Sequence, residues 1–300
     1  MQYNINFSVF HQISIKNYKN FISPASAKSF FAEYSRRDLI ISEILGIIIK
    51  YQSLKSINSK GEFSMNRKVA EELLSLTAEQ RQEIIENHKS NGVLIPVTDG
   101  VFIGKNVKLE KGTIVLQGSV LTGQTSVKEG SVIGPNTLLF DTTVEKNASL
   151  NSVQAFESEI GEEADLGPFV HIRPNSHIAA RVHLGNFVEV KNSFIGEKTS
   201  VSHLTYVGDS DVGRNVNFGC GCVTVNFNGK EKSRTTVGDH AFIGCNTNLV
   251  APVTIGAYGY TAAGSTITKD VPENALAIAR ARQENKEDWV KRKKPYRGME

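Results

Sequence analysis

Seven histidines and three cysteines are the residues of this 300-residue chain with the widest chemical range. Histidine gains and loses a proton near neutral pH, and both residue types bind zinc when several of them converge. His171, His177 and His183 recur at every sixth position. In a fold with that period we expect them to stack along one face, either as zinc ligands or as a solvent-exposed ladder.

The cysteines do not form a common zinc motif. Cys220 and Cys222 are separated by a single glycine, and Cys245 lies far from both. This spacing matches no familiar four-ligand site. Three cysteines also give no even disulfide framework in a chain of this length, so we expect free thiols in the reducing cytoplasm and no metal in the chemistry.

An aliphatic residue at every sixth position is the dominant pattern, and it must position these side chains. A six-residue period is neither helical nor a simple alternation. It is typical of a solenoid in which short strands meet at tight corners and each coil buries its aliphatic residues against the next. We therefore predict a mainly β fold, a parallel β-helix of about eight or nine coils. The main runs are Ile103, Leu109, Val115, Leu121, Val127, Ile133 and Leu139; Ile160, Leu166, Ile172, Ile178, Leu184 and Val190; and Val237, Ile243, Leu249 and Ile255.

Two stretches interrupt this register. Residues 140–159 shift it, which predicts a bulged corner. Residues 219–236 hold too many positions between repeats, which predicts a loop that leaves the coil. Insertions on one face of a repeat array often carry function. The three histidines each precede an inward aliphatic, so we expect them to point outward.

The chain divides into four segments. The first combines eight Lys/Arg with four Asp/Glu and has one apolar cluster, at 39–49, so it is expected to be loosely ordered or a single helix. The second has a capping box at Thr77 to Gln80 and a stop at Asn91-Gly92. The predicted boundaries are 1–64 for the extension, 65–100 for the helical linker, 101–272 for the β-helix and 273–300 for a C-terminal arm that holds Trp289.

Composition excludes several classes of protein. With 40% hydrophobic residues the chain can fill a sizeable core. The balance of 34 basic to 31 acidic residues is too even for a nucleic-acid binder that relies on bulk charge. The apolar cluster at 39–49 is shorter than the roughly 20 residues needed to span a bilayer, so no membrane insertion is expected. No secretory signal is recognised at the N-terminus.

Five segments carry a specific resemblance: GPFVHIRPNSHI, GNFVEVKNS, HLTYVGDSDVG, VNFGCGCVTVNFNG and APVTIGAYGYTAAGSTITKDVP. In order and almost without gaps, the chain from about residue 65 to residue 290 resembles the acetyltransferase half of the bifunctional glucosamine-1-phosphate N-acetyltransferase / N-acetylglucosamine-1-phosphate uridyltransferase family. The resemblance implies a left-handed β-helix, a homotrimer, acetyl-CoA as donor and glucosamine 1-phosphate as acceptor. The product would serve UDP-N-acetylglucosamine synthesis for the cell envelope.

One departure from the family is large. Its nucleotidyltransferase domain has an early L-x-x-G-x-G-T phosphate loop, whereas residues 1–64 contain only Gly46 and Gly61. We therefore expect no uridyltransferase activity.

The resemblance also implies roles for individual residues. His203 matches the general base, and Glu189 is a carboxylate that could orient it or else an exposed strand residue. Asn226 matches the polar group near the thioester oxygen. The implied sugar-phosphate contacts are Arg173, Lys191, Tyr206 and Asn217. The implied acetyl-CoA contacts are Cys220, Asn226, Phe227, Lys232, Cys245, Ala263 and Arg280.

Three of these positions differ from the commonest family pattern, because Phe227 replaces tyrosine, Cys220 replaces alanine and Cys245 replaces serine. Three other functions remain open. The histidine spacing would suit a zinc enzyme resembling the gamma-class carbonic anhydrases, although HLTY favours acyl transfer. The acceptor could be another amino sugar or a sugar nucleotide. A non-catalytic trimeric scaffold would be expected to lack His203 or Asn226, and both are present.

Overall fold

A computed structural model describes residues 62–298, which form two helices, a long parallel β-solenoid and a C-terminal arm. The apolar cluster at 39–49 lies outside the described residues. Within 62–298 no helix has the length and apolar character needed to cross a membrane.

Two helices precede the solenoid, α1 (Glu62–Ser75) and α2 (Ala78–Ser90). Thr77 separates them because it caps α2. Its hydroxyl accepts from the Gln80 amide at 3.3 Å, and the Gln80 side chain accepts from the Thr77 amide at 3.0 Å. The predicted capping box is therefore present, and Asn91 ends α2. Helix α1 begins earlier than the sequence suggests, at Glu62.

The solenoid is built from short strands that fall in turn into three parallel sheets. Sheet 1 contains every third strand from β1 to β28, sheet 2 every third strand from β2 to β26, and sheet 3 every third strand from β3 to β27 together with β29. The strands are β1 (Phe102–Ile103), β2 (Lys108–Leu109), β3 (Ile114–Val115), β4 (Val120–Thr122), β5 (Ser126–Val127), β6 (Val132–Ile133), β7 (Leu138–Phe140), β8 (Thr143–Val144), β9 (Ser149–Leu150), β10 (Val153–Phe156), β11 (Glu159–Ile160), β12 (Asp165–Leu166), β13 (Val170–Ile172), β14 (His177–Ile178), β15 (His183–Asn186), β16 (Glu189–Lys191), β17 (Phe194–Ile195), β18 (Ser200–His203), β19 (Tyr206–Gly208), β20 (Ser210–Val212), β21 (Asn217–Phe218), β22 (Val223–Val225), β23 (Thr235–Val237), β24 (Phe242–Ile243), β25 (Asn248–Val250), β26 (Val253–Ile255), β27 (Tyr260–Thr261), β28 (Thr266–Ile267) and β29 (Leu276–Ala277).

The core runs along the axis of the solenoid. Ile172, Val190 and Val207 occupy equivalent places in successive coils of sheet 1, and each is fully buried. The six-residue spacing thus sends one aliphatic inward from each of three faces. The predicted fold class, a parallel β-helix of hexapeptide repeats with flanking helical and arm segments, is confirmed.

The sheets contain ten, nine and ten strands, which is more than eight or nine coils would provide. The coils shorten in the middle, because Thr143 pairs with Glu159, 16 positions on, whereas Phe102 pairs with Val120, 18 positions on. The shift over residues 140–159 therefore comes from shortened coils rather than from the predicted bulge.

The extruded loop is also smaller than predicted. Strand β22 lies inside the interval 219–236 and pairs with its neighbours, so only residues 226–234 leave the coil. Helix α1 packs on the outside of sheet 1, where Met65 and Val69 are buried with Phe140 and Phe156.

The arm adds β29 to sheet 3 and continues to a short helix, α3 (Trp289–Lys293), which buries none of its side chains. Because β29 pairs with β27 at the end of sheet 3, the beginning of the arm is the last part of the solenoid.

Candidate active site

His203 lies at the corner where sheet 3 gives way to sheet 1. It ends strand β18, and Leu204 then turns the chain with a φ of 45°. The Thr205 hydroxyl donates to the His203 carbonyl at 2.7 Å and fixes this corner. The imidazole is exposed and makes no hydrogen bond or ion pair within the described part of the chain. Its nitrogens are therefore open to a substrate proton.

Positions matched to acetyl-CoA contacts continue this corner upward from His203. The Gly221 amide points to the His203 carbonyl at 3.5 Å, and the Asn246 amide donates to the Cys220 carbonyl at 2.8 Å. The Gly264 amide in turn donates to the Cys245 carbonyl at 2.8 Å.

The column that these hydrogen bonds define, which we call the corner column, is His203, Cys220, Cys245 and Ala263. With parallel strands about 4.8 Å apart, its three steps span roughly 14 Å. Arg280 lies at the top, because a methyl group added at Gly264 would be 3.7 Å from the Arg280 Cδ. A row of small residues thus leads from His203 to the Arg280 side chain.

Three of the four residues matched to the sugar phosphate, Arg173, Lys191 and Tyr206, share the outer face of sheet 1. His171, Glu189 and Tyr206 are register partners in successive strands, and all flank inward valine or isoleucine residues. Lys191 pairs with Gly208 on the same face. A side chain at Gly208 would meet the Tyr206 hydroxyl at 2.2 Å, so the phenol lies directly over this glycine.

Arg173 and Glu189 form an ion pair on this face. The Arg173 Nη1 donates to the Glu189 Oε1 at 2.9 Å, and both side chains are partly exposed. Among the described residues no hydrogen bond joins Glu189 to His203. Glu189 therefore positions the guanidinium here, and its role in orienting the imidazole stays a prediction.

A buried carboxylate, Asp209, organises the corner where sheet 1 gives way to sheet 2. The Asn192 Nδ2 donates to it at 2.5 Å, the Lys191 Nζ lies 3.4 Å and 3.5 Å from its two oxygens, and the Asn226 Nδ2 makes a close contact. The Asn226 Nδ2 is also 3.3 Å from the Tyr206 hydroxyl. The site therefore brings together two of the predicted sugar contacts and the predicted thioester neighbour.

Burial raises the pKa of Asp209, but the hydrogen bond from Asn192, the Lys191 charge and the Asn226 hydrogen bond outweigh it, so the pKa is lowered overall. The pKa of Lys191 is lowered, first by burial and then by the neighbouring Lys232, while Asp209 opposes both. Asp209 is thus an ionised acceptor that helps Lys191 keep its charge.

The loop 226–234 carries Phe227 and Lys232 beside this cluster. Phe227 is exposed and pairs with Lys232 through an antiparallel bridge. Arg234 ties the end of the loop to the solenoid, with Nε and Nη2 on the Asp211 carboxylate at 2.8 Å and 2.5 Å and Nη1 on the Asn192 carbonyl at 3.1 Å. This fork holds the loop over the site.

Asn217 does not join the cluster on sheet 1. It lies on sheet 3 beside Ser200 and Phe242. It is nevertheless close in sequence to Cys220, the second residue of the corner column.

The histidine ladder is wrong. His171, His177 and His183 lie in sheets 1, 2 and 3, because one six-residue step carries the chain to the next face and a full coil is needed to return. His177 pairs with Glu159 at 2.7 Å, and His183 pairs with Asp165 at 3.1 Å. Burial lowers the pKa of His171, although Glu189 opposes this. Within 62–298 no three His, Cys, Asp or Glu side chains lie close enough to hold a metal ion.

Sequence reasoning missed Asp209, Asn192 and Arg234. A usable signal was present, because Asn192, Asp209 and Asn226 are each 17 positions apart, which is the local coil length seen between Glu189 and Tyr206 and between Tyr206 and Val223. Residues one coil apart share a corner, so the spacing would have placed all three together.

A hexapeptide β-helix with an exposed histidine at the foot of this corner column defines an acyltransferase of the hexapeptide-repeat class. Among curated proteins, the chain is 44% identical over 252 residues to the Bifunctional protein GlmU of Clostridium acetobutylicum, covering 84% of this chain and 53% of that protein. It is 50% identical over 212 residues to the GlmU of Geobacillus sp. (strain WCH70), covering 71% and 46%. The chain is thus a homologue of the GlmU proteins, as the motifs predicted, and it spans about half the length of the curated relatives it matches.

Other comparisons are weaker. No protein-family profile matches the chain. The UDP-N-acetylglucosamine O-acyltransferase (LpxA) from Moraxella catarrhalis is 13% identical with a TM-score of 0.32, covering 65% of this chain and 77% of that one. The acetyltransferase domain of PglB from Neisseria gonorrhoeae, solved with acetyl coenzyme A, is 21% identical with a TM-score of 0.19, covering 69% and 72%. These likenesses carry no argument about function.

Proposed function

We propose that this chain transfers the acetyl group of acetyl-CoA to the amine of glucosamine 1-phosphate, giving N-acetylglucosamine 1-phosphate for UDP-N-acetylglucosamine synthesis. The observation that carries the proposal is the corner at His203. There the row of small residues that leads to Arg280 meets the face of sheet 1 that carries Arg173 and Lys191.

His203 acts as the general base in this proposal. The imidazole accepts a proton from the amine as nitrogen attacks the thioester carbonyl carbon. The new C–N bond forms, the C–S bond breaks, and the proton passes to the departing sulfur of CoA. An exposed imidazole with no hydrogen-bond partner among residues 62–298 is accessible for this exchange.

Arg173 and Lys191 bind the acceptor phosphate. A guanidinium can grip phosphate with two hydrogen bonds, and the ammonium adds a point charge. Glu189 and Asp209 hold these two cations in place on adjacent strands. Tyr206 completes the face, and Asn217 contributes from sheet 3.

The corner column binds the donor. Cys220, Cys245 and Ala263 are small enough to let a pantetheine chain lie against the backbone, and Arg280 with Lys232 supplies positive charge for CoA phosphates. Phe227 offers an exposed ring in the loop that carries Lys232. No metal is needed for this chemistry.

We also propose a homotrimer in which the corner column of one subunit is covered by its neighbours. The corner column and the sheet 1 face are both open in the single chain, as the exposure of Leu204, Phe169 and Phe187 beside them illustrates. Light scattering tests this, and a fully active monomer would contradict it.

The deciding experiment is free-thiol release from acetyl-CoA against a panel of amino sugars, each with and without the 1-phosphate, and against sugar nucleotides. We expect glucosamine 1-phosphate to be preferred. His203→Ala should lower turnover by roughly 100-fold or more, because a positioned base contributes about 10²–10⁴-fold.

His177→Ala is the matched control, since His177 is exposed on sheet 2 and paired with Glu159. Near-normal turnover of His203→Ala would remove His203 from the base role. If another acceptor is preferred, that acceptor replaces glucosamine 1-phosphate as the proposed substrate. If no acceptor gives thiol release, a non-catalytic scaffold is favoured. A uridylyl-transfer assay of the same chain, expected to be negative, completes the test.

A further inference from the structure

Asp209 is the most buried charged group of the site, with only 4% of its surface exposed. Three side-chain donors converge on its two oxygens, namely the amides of Asn192 and Asn226 and the ammonium of Lys191. Asn192, Asp209 and Asn226 occupy the same corner in three successive turns of backbone. This amide–carboxylate–amide ladder fixes the relative positions of the strand side chains and the extruded loop.

The ladder determines which way the Asn226 amide faces. An ionised carboxylate only accepts hydrogen bonds, so Asn226 must turn its Nδ2 toward Asp209. The same Nδ2 lies 3.3 Å from the Tyr206 hydroxyl, which occupies its second hydrogen. The Asn226 Oδ1 makes no hydrogen bond within residues 62–298. The atom left for a substrate is therefore an acceptor rather than a donor.

An acceptor at this place suits an amine better than a thioester oxygen. The acceptor nitrogen carries N–H groups, whereas a developing oxyanion needs donors. The same carboxylate contacts the Lys191 ammonium, whose pKa is lowered by burial and by the neighbouring Lys232.

We propose that Asp209 is a positioning residue of the acceptor site: its carboxylate orients the Asn226 amide so that Oδ1 receives an N–H of the sugar amine, and it seats Lys191 for the phosphate. This inference rests on the proposed function and adds a residue to it. Asp209 itself touches neither substrate.

Asparagine can replace Asp209 without strain in the backbone. Asp209 has a φ of 49°, and asparagine already occupies the equivalent corners one and two coils earlier, at Asn192 with a φ of 47° and Asn175 with a φ of 60°. The substitution changes the chemistry alone. Three donors would then face a group with a single acceptor oxygen, so at least one contact must be lost.

The experiment compares Asp209→Asn with Asp141→Asn in the full chain. Asp141 lies at the same corner four coils earlier, with a φ of 47°, and accepts from the Gln124 amide at 2.7 Å. We expect Asp209→Asn to lower kcat/KM for glucosamine 1-phosphate by about 10- to 150-fold, the range for one hydrogen bond to a charged group. Asp141→Asn should match the wild type.

A reciprocal exchange separates positioning from folding. In the double variant Asp209→Asn with Asn226→Asp, the new asparagine can donate to the new carboxylate, so the ladder is restored with its polarity reversed. We expect its kcat/KM to exceed that of both single variants. Asn226→Asp alone sets two carboxylates against each other and should be the weakest of the set.

The outcomes separate this inference from the proposed function. The inference alone is overturned if the wild type acetylates glucosamine 1-phosphate and Asp209→Asn has the same kcat/KM. It is also overturned if the kcat/KM of the double variant does not exceed that of the single variants. If the wild type acetylates no amino sugar, the proposed function fails, and the seating of Lys191 is then read from its acetic anhydride labelling by mass spectrometry. Asp209→Asn should raise labelling of Lys191 relative to Lys146, and unchanged labelling overturns the inference.

Discussion

Helix α1 offers a direct test of how the first coils are stabilised. Met65 is 7% exposed and packs with Val69, Phe140 and Phe156 on the outside of sheet 1. Met65→Ala removes most of that side chain and leaves a gap against two phenylalanines. A buried Met→Ala change costs about 2–5 kcal/mol, because the lost transfer energy and the cavity add.

The matched control is Leu74→Ala on the same helix, because Leu74 is 66% exposed. A surface change of this kind stays within about 0.5 kcal/mol. In a domain of this size each kcal/mol shifts Tm by about 2–4 °C, so we expect Met65→Ala to lower Tm by roughly 4–20 °C and Leu74→Ala by at most about 2 °C. Circular dichroism during heating measures both.

Equal Tm values for the two variants would refute the packing argument, since of the two side chains only Met65 is buried against the outer face of sheet 1. A chain that starts at Met65 keeps this contact and loses only the first three residues of α1. We expect it to fold, trimerise and acetylate like the full chain. An insoluble or inactive short chain would instead make the preceding residues part of the working fold.

Two further predictions concern the site. Arg173→Ala should raise KM for glucosamine 1-phosphate by about 10- to 150-fold, because it removes charge-assisted hydrogen bonds and leaves Glu189 facing the phosphate. The control is Arg181→Ala, which breaks only exposed ion pairs with Glu163 and Glu197 and should leave KM unchanged. Steady-state kinetics decides, and equal KM values would disprove the phosphate assignment. Burial raises the pKa of Cys222 to about 11, so its reactive thiolate is scarce at pH 8 and increases as pH rises. Mass spectrometry after iodoacetamide treatment should find Cys245 modified well before Cys222, and equal rates would contradict the burial of Cys222.

The sequence predicts the solenoid well because each six-residue repeat can be recognised from the local sequence. Ile133, Leu139 and Leu184 are all fully buried, as an aliphatic at each sixth position requires. Coil lengths were less predictable. A coil of 16 residues and a coil of 18 both keep the inward aliphatic, so hexads alone did not reveal ten strands in sheets 1 and 3.

The motif resemblance identified the main site residues, but it did not predict which of their side chains contact each other. That Glu189 holds Arg173 follows from register, which depends on the exact coil length between them. The histidine ladder failed for the same reason, because a spacing of six was taken as a return to one face. Asp209 was part of a quoted motif yet received no role, since its three partners come from the preceding coil and from the loop 226–234.

The coil repeat limits how this chain can change in length. Each coil contacts only its neighbours, so a whole coil added or removed before Arg173 would leave the spacing from Arg173 to Arg280 intact. A six-residue deletion between Arg173 and Lys191 would rotate everything after it by one face. Lys191 and Tyr206 would then no longer share a sheet with Arg173. Length variation compatible with this site is therefore counted in full coils or confined to loops, such as 226–234, that leave the solenoid.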